Sequence, residues 1–189
     1  MNLKKTGWVL FAVLFLASSA LAVEMGGINM PGTLKAGGTD LVLNGGGTRT
    51  KFFIKVYVAG LYLKQKGHDA GLIISADEPM AVRLQITSGL VDSEKMESAV
   101  REGFEKSTNG DITPIKRKIE GFINIFKSPI KENDVYEFFY VPGSGTEVYK
   151  NGVKSAVIGG LEFKKALFGI WLCNKPAQAD LKEKMLGNK

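Results

Sequence analysis

The feature that most constrains this chain is the run Leu43-Asn44-Gly45-Gly46-Gly47-Thr48-Arg49, which leads directly into Lys51-Phe52-Phe53-Ile54-Lys55-Val56-Tyr57-Val58-Ala59-Gly60-Leu61-Tyr62-Leu63. Glycine tolerates positive φ and lets the backbone approach whatever lies opposite, so three in a row read as a tight turn between strands. The β-branched and aromatic residues that follow favour a pleated, half-buried surface, and residues 52–63 read as one long strand. The turn then delivers one arginine, Arg49, to the head of that strand. The glycines lack the lysine and Ser/Thr that complete a phosphate-binding P-loop, and no helix opens after them, so no nucleotide is implied.

Further along, residues 41–43 read as a short strand, and 81–88 as another in which Val82, Leu84 and Ile86 face one way and Arg83, Gln85 and Thr87 the other, toward solvent. Residues 26–39, rich in glycine and carrying Pro31, read as an irregular or edge-strand segment. A helix is predicted over 93–106, with Asp92 as N-cap and Met96, Ala99, Val100, Gly103 and Phe104 on one stripe. A second starts at Thr113-Pro114, with threonine as N-cap, and buries Ile115, Ile119, Phe122, Ile123 and Phe126. A meander follows: strands over 135–141, 146–149 and 154–158, joined by Pro142-Gly143-Ser144-Gly145 and by Asn151-Gly152, a pair that favours two-residue hairpins. Two helices close the chain, one over 161–172 and one beginning near Pro176. Strands, then helices, then a meander, then helices is an α+β order, with helices packed on one face of a mostly antiparallel sheet.

The first 22 residues have the parts of an export signal: Lys4 and Lys5, an apolar core from Trp8 to Ala17, and Ala20-Leu21-Ala22 as a small-residue cleavage site. That core is shorter than the roughly 20 apolar residues a membrane span needs. The expectation is cleavage after Ala22, no membrane anchor afterwards, and one domain over residues 23–189 in a periplasm or outside the cell. The 25 basic and 19 acidic residues leave a small, scattered surplus. Its densest run, Lys116-Arg117-Lys118, falls on a helix face, so nucleic acid is not expected as a partner. With one cysteine, Cys173, no intrachain disulfide can form, and that thiol reads as a small buried hydrophobe. With a single histidine, His68, and no carboxylates at ligand spacing, neither a metal nor a cofactor is expected.

The segment Arg49 to Leu63 resembles the chalcone isomerase family, whose members carry a glycine-rich stretch, an arginine and a strand close to Phe-Ile-Lys-Val-Tyr-Val-Ala-Gly-Leu-Tyr-Leu. The resemblance continues through Tyr140-Val141-Pro142-Gly143-Ser144-Gly145-Thr146, Asn151-Gly152, Ile158-Gly159-Gly160-Leu161-Glu162-Phe163, Ile170-Trp171-Leu172, Lys175-Pro176 and Leu181-Lys182, and so covers Gly27 to Gly187. It implies the chalcone isomerase-like open-faced sandwich. In the catalytic members the arginine supports oxy-Michael ring closure of a chalcone, helped by a strand threonine and a tyrosine near a later helix. Arg49 matches that arginine. Tyr57 stands in place of the threonine, Gly89-Leu90-Val91-Asp92 carries no phenol where the tyrosine falls, and a further hydroxyl position is Ala166. The fatty-acid-binding relatives keep an arginine and a tyrosine and clasp a carboxylate with them. The resemblance therefore implies an exported, non-catalytic binding protein for a fatty-acid-like or aromatic carboxylate held by Arg49 and Tyr57. The alternatives are a cofactor-independent isomerase or intramolecular lyase acting on a chalcone-like unsaturated ketone, and an interaction module with a solid core.

The residues themselves raise an obstacle to that pairing. On one unbroken strand, Arg49 and Tyr57 share a face but stand roughly 26 Å apart at about 3.3 Å per residue. They reach one ligand head only if the backbone bends between Arg49 and Phe53, and the resemblance implies such a bend. Arg83 is a third cationic candidate.

Overall fold

Residues 22–188 are described by the computed structural model, so the expected export signal lies outside the described residues except for Ala22. In chain order the strands are β1 (Val23–Met25), β2 (Ile28–Met30), β3 (Thr33–Ala36), β4 (Thr39–Lys51), β5 (Ile54–Leu63), β6 (Met80–Ile86), β7 (Val135–Val141), β8 (Gly145–Lys150) and β9 (Val153–Ile158). The helices are α1 (Ala70–Ser75), α2 (Ser93–Ser107), α3 (Lys116–Ile123), α4 (Leu161–Leu172) and α5 (Ala179–Met185). Strands β3 to β9 form one seven-stranded antiparallel sheet in sequence order, and β1 and β2 form a separate hairpin. The helices cover one face. Tyr57, Ala59 and Leu61 of β5 and Val82, Leu84 and Ile86 of β6 point into the main core with Phe104, Phe122, Phe163 and Leu167 of the helical layer. The α+β architecture expected above, a mostly antiparallel sheet with helices on one face, is the one observed.

The alternate residues of the same strands, Val58, Tyr62 and Ala81, join Met30, Leu41 and Phe139 in a smaller cluster on the other face. Arg83 also lies on that face. Contrary to the solvent-facing expectation, it is mostly buried and pairs with Glu137 at 2.5 Å. Period-two alternation shows that Arg83 leaves the helical side, but not that the second face is itself covered.

The three glycines do not turn. Gly45, Gly46 and Gly47 run inside β4, and the chain reverses instead at Phe52–Phe53, where Lys51 pairs with Ile54. The glycines serve close approach. A Cβ on Gly45 would lie 2.1 Å from the carbonyl oxygen of Lys184, and one on Gly47 would lie 2.9 Å from the Lys184 side chain, so β4 must be bare for the end of α5 to rest on it. Asn44, at a bulge, fixes this packing: its amide donates to the carbonyls of Gly67 and Met185 at 2.9 and 2.8 Å.

Other boundaries follow from capping. Asp92 accepts from the Lys95 amide at 2.8 Å and starts α2 as expected. Thr113 is not a cap. It lies within a 3-10 turn (Thr113–Ile115) that precedes α3, and its own amide donates to Asp111. Helix α5 starts at Ala179, later than Pro176. Helix α1, six residues long with none buried, carries no apolar stripe for a sequence to reveal. Cys173 is half-buried at the end of α4 rather than fully enclosed.

Candidate functional site

The β4–β5 register decides the geometry of the site. Arg49 pairs directly with Tyr57, with a bulge just beyond them and the two-residue turn two positions further on. The required bend is thus a hairpin, and the roughly 26 Å of a straight strand collapses to the spacing of cross-strand partners, about 5 Å between Cα atoms. Gly45 and Gly47, paired with Leu61 and Ala59, share the helix-facing side with Arg49 and Tyr57. Both polar side chains therefore enter the layer between sheet and helices.

That layer is not filled next to them. A cavity of about 690 Å³ opens between β4, β5 and β6 on one side and α2 and α4 on the other, a volume within the roughly 300–1,000 Å³ of small-molecule sites. Its fully enclosed wall is apolar, with Leu84, Phe122, Phe126, Phe138 and Leu167. Its rim carries the exposed residues Lys51, Phe52, Leu90 and Lys95. This space counts against the solid-core alternative.

Tyr57 is buried, and its hydroxyl accepts a hydrogen bond from the indole nitrogen of Trp171 at 2.9 Å. The phenol's own hydrogen is left to donate, and no acceptor for it is found among the described residues. Burial raises the phenol's pKa, against which the Arg49 charge and the Trp171 hydrogen bond act in the lowering direction. The group is therefore a neutral donor at physiological pH.

Arg49 is half-buried, and one of its terminal nitrogens donates to the carbonyl of Ala177. That carbonyl belongs to the link between α4 and α5, which is itself tied to β4: Gln178 accepts from the Thr50 amide at 2.8 Å. Among the described residues this is the only hydrogen bond of a guanidinium that carries five N–H donors. A permanently charged fork with unused donors thus lies beside a buried O–H donor at the head of an apolar space.

The residues singled out from the sequence, Arg49 and Tyr57, are brought together, and Ala166 is buried in α4. Sequence reading missed Trp171, Ala177 and Gln178. A buried indole must find an acceptor, which is a signal for Trp171. A backbone carbonyl in an irregular link gives none. His68 stands elsewhere, against the Leu186 carbonyl at 2.6 Å. Among the described residues, no three His, Cys, Asp or Glu side chains are placed to hold a metal, and no helix is long and apolar enough to cross a membrane.

A family model described as chalcone isomerase-like matches residues 22–187. The chain is also similar in fold to the crystal structure of an Arabidopsis thaliana fatty-acid binding protein, with a TM-score of 0.67 and 19% identity over 85% of this chain and 92% of that one. No curated protein sequence matches it.

Proposed function

Because the chain belongs to the chalcone isomerase-like family, we propose that it is a non-catalytic binding protein for a long-chain or aromatic carboxylate, with Arg49 and Tyr57 on the carboxylate and the tail in the cavity beneath α2. The observation that carries this reading is the pairing of Arg49 with Tyr57 at the head of an apolar space. The likeness in fold to a fatty-acid binding protein supports the reading. A charged hydrogen bond from Arg49 contributes about 1.5–3 kcal/mol, and each buried methylene of a tail about 0.8 kcal/mol. Apolar burial thus supplies most of the affinity, and the arginine sets orientation and selects an acid over an alcohol.

The same reading includes export to a periplasm or the outside, which rests on Lys4, Lys5, the apolar core and Ala20-Leu21-Ala22. N-terminal sequencing of the protein from cells should begin at Val23; retention of Met1 would refute it.

The binding test uses an internal reporter. Trp171 stacks on Phe138 at 6.1 Å and lines the cavity, so its fluorescence should change as a long-chain fatty acid fills the site. Saturable binding that weakens in Arg49→Ala, and a co-purifying acid in native mass spectrometry, are the expected results. Equal affinity of the acid and the matching alcohol, or of wild type and variant, would sink the proposal.

A further inference from the structure

Two hairpins of this chain use the same turn with opposite chemistry. Asn151–Gly152 close β8 on β9 at φ 51° and 78°, the residue pair this two-residue turn favours. Phe52–Phe53 close β4 on β5 at φ 49° and 66°, a left-handed backbone that bulky side chains resist. Burial does not offset the strain, since Phe52 is 84% and Phe53 102% exposed. Stability alone favours Asn-Gly here, so the two rings answer to something outside the fold.

The surroundings indicate what that is. Ile54 and Leu90, also exposed, share the cavity rim with Phe52. The Lys51 ammonium lies 5.9 Å from the Phe52 ring centre, and Lys55 follows on the other strand. Neither lysine forms an ion pair among the described residues. Lys95, also on the rim, is engaged by Asp92 at 2.6 Å, and Glu94 is the remaining acid there. Apolar rings with cations beside them match the two layers of an anionic lipid surface: acyl chains for the rings, phosphate head groups for the ammoniums.

We propose that the Phe52–Phe53 tip docks on an anionic lipid surface and seats the cavity mouth against it, so that an amphiphile passes between bilayer and Arg49 without crossing bulk water. The use of that docking rests on the binding function proposed above; the docking itself does not. A second copy of the chain or an apolar protein partner would meet the rings but leave the lysines unanswered.

Co-sedimentation of the protein isolated from cells with phosphatidylcholine vesicles, with and without phosphatidylglycerol, tests it. Wild type should bind the vesicles that contain phosphatidylglycerol, and added salt should weaken that binding. The variant Phe52→Asn/Phe53→Gly carries the turn's preferred pair, so it should fold at least as stably. It should lose vesicle binding by roughly tenfold or more, because two apolar anchors are gone. Lys51→Gln/Lys55→Gln should weaken binding roughly fivefold per lysine. All variants share one N-terminus, so the differences belong to the tip. Arg49→Ala should keep vesicle binding while losing the acid, which separates failure of the binding reading from failure of this one. Absence of wild-type binding, equal binding by the Asn-Gly variant, or a dimer that this variant dissolves while vesicles stay unbound would each overturn the proposal.

Discussion

Two cations on the helical side of the sheet, Lys164 and Arg49, are treated differently. Lys164 of α4 is fully buried, and its ammonium donates to the carbonyls of Ile73, Ile74 and Ala76 at 2.9, 2.8 and 2.7 Å, closing the C-terminal end of α1. The rings of Tyr140 and Phe168 lie 5.5 and 6.0 Å from it. All three of its hydrogens are spent. Among the described residues Arg49 has one partner, the Ala177 carbonyl, and it lines a cavity. A saturated cation holds two elements together, whereas an unsaturated one is available to a molecule that arrives. Burial of a charge does not by itself mark a site; spare donors beside empty space do.

The contrast is breakable by substitution. Lys164→Met leaves three carbonyls without a donor and should cost about 2–4 kcal/mol of folding stability with little change in acid affinity; a loss of affinity without loss of stability would reverse the two roles. Arg49→Ala should do the opposite, lowering affinity for a long-chain acid about 10- to 100-fold while the urea midpoint moves little. Tyr57→Phe removes one neutral donor and strands the Trp171 N–H, so about fivefold in affinity and about 1 kcal/mol in stability are expected, read by the same two titrations. The smallest effect concerns protonation. Burial is the main cause that pushes the Lys164 ammonium down to about 8, with Lys165 adding to it and Asp77 and Glu78 opposing. Between about pH 8 and the ordinary value of 10.5 the unfolded chain holds a proton that the folded one has released, so this group's contribution to stability rises with pH in that window. Denaturation curves across the window should show wild type gaining on Lys164→Met; an unchanging or shrinking difference would remove Lys164 as the source.

The sheet was legible where side chains alternate or a turn has a residue signature. The β7 to β9 meander follows from Val135–Val141 and Asn151-Gly152, and α2 from Asp92 with its stripe. The β4–β5 hairpin was not, because glycines that permit close approach look the same as glycines that turn, and two phenylalanines at positive φ have no propensity to announce them. Arg49 and Tyr57 came from family resemblance, since residue pattern alone set them at opposite ends of a ribbon. The cavity was illegible for a different reason: Leu84, Phe122 and Leu167 are equally at home around a space or in a solid core, and only the distance between layers separates the two. Lys164 could have been noticed as one lysine on the apolar side of α4, but its acceptors belong to α1, a helix too short to read.

The Arg49–Tyr57 pair straddles a turn of only two residues, with Arg49 set opposite Tyr57 by strand register. Such a site is indifferent to spelling at the tip but not to length. Exchange of Phe52 and Phe53 for other residues leaves the arginine in place, whereas a single inserted residue slips the ladder and swings the guanidinium to the far side of the sheet. Among natural variants of this chain, the interval from Arg49 to Tyr57 should stay constant.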